Sequence, residues 1–103
     1  MIPVGTKIKF RAERLRYTVQ ASNERFTVCT KPFNPRRTVL YTIIDHERQI
    51  RGTENLIFCA GFETREDCEE ALERLTVGKS AVSRRNYVPL DIESPHFEGV
   101  EAR

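Results

Sequence analysis

The apolar residues of this 103-residue chain change spacing once, from every second residue to a helical period, and that switch limits the fold to strands followed by one helix. Lys7-Ile8-Lys9-Phe10, Tyr17-Thr18-Val19-Gln20-Ala21 and Arg25-Phe26-Thr27-Val28 alternate polar and apolar side chains and are rich in β-branched and aromatic residues. Ser22-Asn23-Glu24 joins the second and third runs and predicts a hairpin, because Asn tolerates the left-handed backbone of a tight turn. Thr38 to Asp45 is apolar on both faces and reads as a central strand. Between these runs, Lys31-Pro32-Phe33-Asn34-Pro35-Arg36-Arg37 holds two prolines, which cannot donate to a ladder, and is expected to be an exposed basic loop. A turn is expected at Asp45-His46-Glu47, and a further apolar run covers Leu56 to Ala60, punctuated by Gly52 and Gly61. About five short strands in meander order fit a small antiparallel β-sheet or an SH3-like partly closed barrel, and the pattern does not choose between them.

From Thr64 the period becomes helical. Cys68, Ala71, Leu72 and Leu75 recur at i, i+3, i+4 and i+7, one apolar stripe on a helix expected over 64–77. Thr64 is the expected cap, Asp67 stands in the capping-box position, Glu66 and Asp67 place negative charge where the helix dipole favours it, and Gly78 is the stop. The resulting class is α+β, with the sheet packed against one amphipathic helix.

The length suits one domain over residues 1–103, a size that buries roughly 65% of its unfolded surface without metal or disulfide staples. Its expected parts are a β-rich basic part over 1–60, the helix, and a C-terminal strap and tail over 79–103. The apolar residues around Val88 suit a strap across the sheet, and little regular structure is expected beyond Glu93. The longest nearly apolar stretch, Leu56 to Phe62, is far short of the roughly 20 residues a spanning helix needs, so no membrane contact is expected. Met1 to Gly5 shows no basic region leading into an apolar run, which reads as no secretory signal and points to a cytoplasmic protein. Cys29, Cys59 and Cys68 are odd in number and lack CxxC or Cys/His spacing, so they read as small buried hydrophobes rather than a disulfide framework or a zinc site.

Charge is divided along the chain. Met1 to Thr53 carries eleven Lys and Arg against four acids, a net of +7, while Glu54 to Arg103 carries six against eleven, a net of −5. Opposite poles of this kind steer charged partners. Lys31, Phe33, Arg36 and Arg37 of the basic loop are the first candidate partner-binding residues, since Phe33 is hard to bury among cations. The second set is Glu66, Glu69, Glu70 and Glu73 on the outer face of the helix. Such a row is ordinarily a solvated face; the functional alternative is contact with a basic partner, or imitation of a phosphate backbone.

No enzyme is written here. The carboxylates flanking His46 are its neighbours in sequence and do not converge on one substrate atom, and His96 lies far along the chain. Neither GxGxxG nor GxxxxGK[ST] occurs, so no nucleotide cradle, catalytic residue, metal or cofactor is expected. Cations interleaved with Phe10, Tyr17, Phe26 and Tyr41 leave a second class open, a small nucleic-acid-binding β-barrel module using the basic half.

Tyr17-Thr18-Val19-Gln20-Ala21, Thr38 to Asp45, Arg51-Gly52-Thr53-Glu54-Asn55-Leu56 and Cys68-Glu69-Glu70-Ala71-Leu72 together resemble a group of small, functionally uncharacterised proteins carried by phages and mobile elements of Gram-positive bacteria. The resemblance runs from Tyr17 to Ile92, about three quarters of the chain. It implies an accessory protein that acts by binding and inhibiting a host protein, including nucleic-acid-handling defence systems such as CRISPR nucleases. It supplies no catalytic residues.

Overall fold

The computed structural model describes residues 2–10, 15–33, 38–49, 56–58, 61–80, 87 and 95–100. In chain order these form β1 (Thr6–Phe10), β2 (Tyr17–Ser22), β3 (Phe26–Phe33), β4 (Thr38–Gln49), β5 (Leu56–Phe58), the helix α1 (Arg65–Thr76) and β6 (Pro95–Val100). The strands make one antiparallel sheet in the order β5-β4-β3-β2-β1-β6. Its centre is the meander β1 to β4. Among the described residues the two edge strands do not pair with each other, so the sheet is open, and with one helix the fold is α+β.

The β2–β3 hairpin forms where Asn23 stands. Its Oδ1 accepts from the backbone N–H groups of Arg25 (2.9 Å) and Phe26 (2.8 Å), and its own N–H donates to the Phe26 carbonyl (2.8 Å). The helix also follows the local signals. Thr64 caps it in extended backbone (φ −121°, ψ 153°), its hydroxyl accepting from Asp67 N–H at 3.1 Å. At the other end Gly78 adopts φ +78°, and the N–H groups of Gly78 and Lys79 return to the Leu75 and Arg74 carbonyls.

Three expectations are corrected. Lys31-Pro32-Phe33 is not loop: β3 continues through it, with Lys31, Pro32 and Phe33 opposite Leu40, Val39 and Thr38. The ladder's parity explains why Pro32 is tolerated. Tyr41 exchanges both of its backbone hydrogen bonds with Phe62 (2.7 and 2.6 Å), on the side away from β3. Val39 has the same parity, so the Pro32 nitrogen faces away from β4, on the side where β2 has not yet begun. The second correction concerns Asp45-His46-Glu47, which lies inside β4 rather than in a turn. The third concerns the tail. Residues 95–100 form β6 and pair with β1, with Pro95 as first residue of an edge strand, where its missing N–H is tolerated. A register shift between Lys7 and Ile8 places Gly99 beside a bulge rather than in irregular chain. The strap around Val88 and residues 34–37 lie outside the described residues.

Each face of the sheet carries a buried cluster. On one, α1 covers β3 and β4: Cys68, Ala71 and Leu75 pack with Phe26, Ile43 and Phe62, and Leu72 is only half-buried at the margin. On the other, Ile8, Tyr17, Val19, Cys29 and Ile44 form a second cluster. Ile43 and Ile44 are consecutive and fully buried in different clusters, as strand alternation requires of a central strand.

Candidate functional site

Alternation divides the charged and polar side chains of β1 to β4 between these faces. Ile8 and Tyr17 belong to the second cluster, so Lys7, Lys9, Arg16, Thr18 and Gln20 fall on the helix side of the sheet. Contacts agree with this: Lys7 Nζ donates to Thr18 Oγ1 at 2.8 Å, and Gln20 Nε2 donates to Thr30 Oγ1 at 2.9 Å. Among the described residues the helix packs over β3 and β4, while Lys9, Arg16 and Gln20 on the β1–β2 part of the same face are exposed. A cleft of about 380 Å³ lies at that step. Val28, Cys68 and Leu72 supply its apolar part and Tyr41 an aromatic one. Its polar groups are Gln20, Thr30, Arg65 and Glu69.

Glu69 and the other acids of α1 behave differently. Glu69 Oε1 accepts from Arg65 Nε at 3.1 Å, and both groups are well exposed (60% and 75%), so the pair contributes little stability and is easily reoriented. Glu66, Glu70 and Glu73 stand apart at i, i+4 and i+7, all exposed. Thus one helix offers two surfaces, a solvent-facing acidic row and a side that lines the cleft.

Of the four candidates in the basic segment, Lys31 and Phe33 fall within the described residues. Lys31 is half-buried in β3 with its Nζ 5.4 Å from the centre of the Tyr17 ring, on the face away from α1. Phe33 is the last residue of β3 rather than the tip of a loop, and Arg36 and Arg37 lie outside the described residues. Sequence reasoning missed Gln20, Thr30 and Arg65, because residues of ordinary strand and helix patterns become a site only when the helix docks. Strand alternation could have grouped Gln20 with Lys7 and Lys9, but no local signal locates the helix above them.

The flanks of His46 also serve the fold. Asp45 is fully buried, with Oδ1 3.6 Å from Arg25 Nε and accepting from Glu47 N–H at 3.1 Å. Arg25 lies over the Phe26 ring (4.7 Å), and its Nε is 3.2 Å from Glu47 Oε2, an ion pair without the alignment of a hydrogen bond. On the opposite face, His46 Nε2 lies 2.6 Å from Thr27 Oγ1, which lies 2.9 Å from Ser22 Oγ, which accepts from Ile2 N–H at 3.1 Å. Burial lowers the His46 pKa from its usual 6.5, against the raising effect of Asp45. Burial pushes the Cys29 thiol far up, with Cys68 adding to the effect, so Cys29 is not an available thiolate. Cys29 and Cys68 are not joined by a disulfide and belong to different clusters.

Among the described residues no group of three or more His, Cys, Asp or Glu side chains is placed to hold a metal ion, and no helix is long and apolar enough to cross a membrane. No protein-family model, curated protein or solved structure matches the chain.

Proposed function

We propose that the chain is a non-enzymatic accessory protein, of the kind carried by phages and mobile elements, that binds and inhibits a nucleic-acid-handling host protein such as a CRISPR nuclease in the bacterial cytoplasm. The observation that carries this reading is the exposed row Glu66, Glu70 and Glu73. At about 1.5 Å of rise per residue the row spans roughly 10 Å. One DNA strand presents a phosphate about every 3.4 Å of axis, so about three fall within that length. The helix therefore carries the charge density of a single phosphate strand on a rigid support, which suits the cationic channel of a nucleic-acid-binding protein. The context of a mobile-element antagonist comes from the sequence resemblance alone.

The test is competition. Against a panel of bacterial guided nucleases, the chain should displace labelled DNA from its target, with an effect that weakens as salt rises. Reversing Glu66, Glu70 and Glu73 to Lys should reduce inhibition by about tenfold or more, chiefly by slowing association. Full inhibition by the folded triple variant removes the helix row from the mechanism.

A second reading is favoured by Lys7, Lys9 and Arg16 sharing one sheet face: a small nucleic-acid-binding module, with about five strands curled in SH3-like fashion, that contacts DNA or RNA directly. Binding would then need no other protein and would fall steeply with salt.

A further inference from the structure

We infer that the cleft between α1 and the surface of β2 to β4 is a binding site for one nucleotide unit, the base seated in the cleft and the phosphate on the cations of β1 and β2. This rests on the second reading, direct nucleic-acid contact by the basic half, and adds to it a place and a chemistry. The volume, about 380 Å³, falls within the range of small-ligand pockets. The lining matches the two requirements of a base. Its flat faces need apolar contact, which Val28, Leu72 and the Tyr41 ring offer. Its edges need donors and acceptors together. Arg65 commits only Nε to Glu69, so its terminal nitrogens can donate, while Gln20 commits its amide nitrogen to Thr30 and keeps its carbonyl as an acceptor beside the Glu69 carboxylate.

Charge decides between ligand classes. A simple anion has no use for the apolar part and meets Glu69, whereas an aliphatic ligand makes no use of the Arg65 terminal nitrogens or the Gln20 carbonyl. The cations lie beside the cleft on the same face. Thr30, which lines the cleft, pairs across the ladder with Thr18, and Thr18 accepts from Lys7 Nζ. At about 4.8 Å between strands, Lys7 is roughly 10 Å from Thr30, and Lys9 and Arg16 continue the track away from the cleft. A planar, edge-polar group joined to an anion fits these features together.

The experiment measures the full chain against adenosine and uridine monophosphates by titration calorimetry, and against a short labelled single strand by fluorescence anisotropy at several salt concentrations. Saturable mononucleotide binding that equimolar inorganic phosphate does not displace is expected. Ala21→Trp, at an exposed residue of the cleft wall, should fill the site, and Gln20→Ala should remove one edge contact; each should weaken mononucleotide binding by about tenfold or more. Lys9→Glu with Arg16→Glu should instead weaken the strand and flatten its salt slope. Strand binding that ignores both cleft substitutions overturns the nucleotide site and leaves the second reading standing. Cleft-dependent mononucleotide binding without strand binding supports the site and removes that reading. Absence of both kinds of binding overturns both. Should Ala21→Trp fail to fold, Gln20→Ala at its exposed position carries the test.

Discussion

Leu72 and Leu75 occupy the same apolar stripe, but truncating them should have very different costs. Leu75 is 1% exposed and packed among Phe26, Ile43, Phe62, Cys68 and Ala71. Cutting it to Ala removes three carbons, worth roughly 2.4 kcal/mol at about 0.8 kcal/mol each. An enclosed void adds a cavity term, which brings the expected loss to about 3–4 kcal/mol. Leu72 is half-buried and borders the cleft, so its truncation exposes no closed void. About half of the transfer term, roughly 1 kcal/mol, should be lost there. Urea unfolding at constant slope m measures both directly, and the larger loss is a substantial part of the 5–15 kcal/mol typical of a domain. Equal losses, or a larger loss at Leu72, would mean that α1 docks with a different face and would refute the packing from which the cleft is derived.

Gly61→Ala should destabilise by about 1–2 kcal/mol, because a Cβ there meets Leu40 Cδ2 at 2.8 Å and Leu40 is itself buried; Leu40→Ala in the same chain should then cost less than Leu40→Ala alone, as a double-mutant cycle of unfolding energies can show. Thr64→Ala should cost about 1 kcal/mol by leaving Asp67 N–H without its cap, and Thr64→Asp should restore most of it. The His46 pKa is lowered on folding, so its contribution to stability is complete above about pH 6.5 and is lost as pH falls through the folded value. Between pH 7.5 and pH 5 the urea midpoint should therefore fall further for the native chain than for His46→Gln, and equal falls would remove His46 as a source of acid sensitivity.

Elements specified by neighbouring residues were legible from the chain alone. The Asn23 turn, the capped helix with its Gly78 stop, and the alternation of β1 and β2 depend on hydrogen bonds and side-chain periods contained within a few residues. Both-face apolarity also marked β4 as central, because only a strand covered on two sides reads that way. What depended on distant partners was not legible. Pro32 looked like a ladder breaker, yet whether a proline breaks a ladder depends on which neighbour its nitrogen would face, and β2 has not begun at that point. Residues 95–100 read as irregular chain; β1, near the opposite end of the sequence, pairs with them and makes them a strand. Asp45 read as a polar turn residue, but its fully buried place beside Arg25 requires the β3–β4 register. The candidate site divides in the same way. Periodicity alone put Glu66, Glu70 and Glu73 on an outer helix face, whereas docking of the helix turned Arg65, Glu69 and Leu72 toward Gln20 and Tyr41 and made a cleft from residues with no spacing in common. Local sequence sets which side chains share a face, and only tertiary packing decides which faces meet.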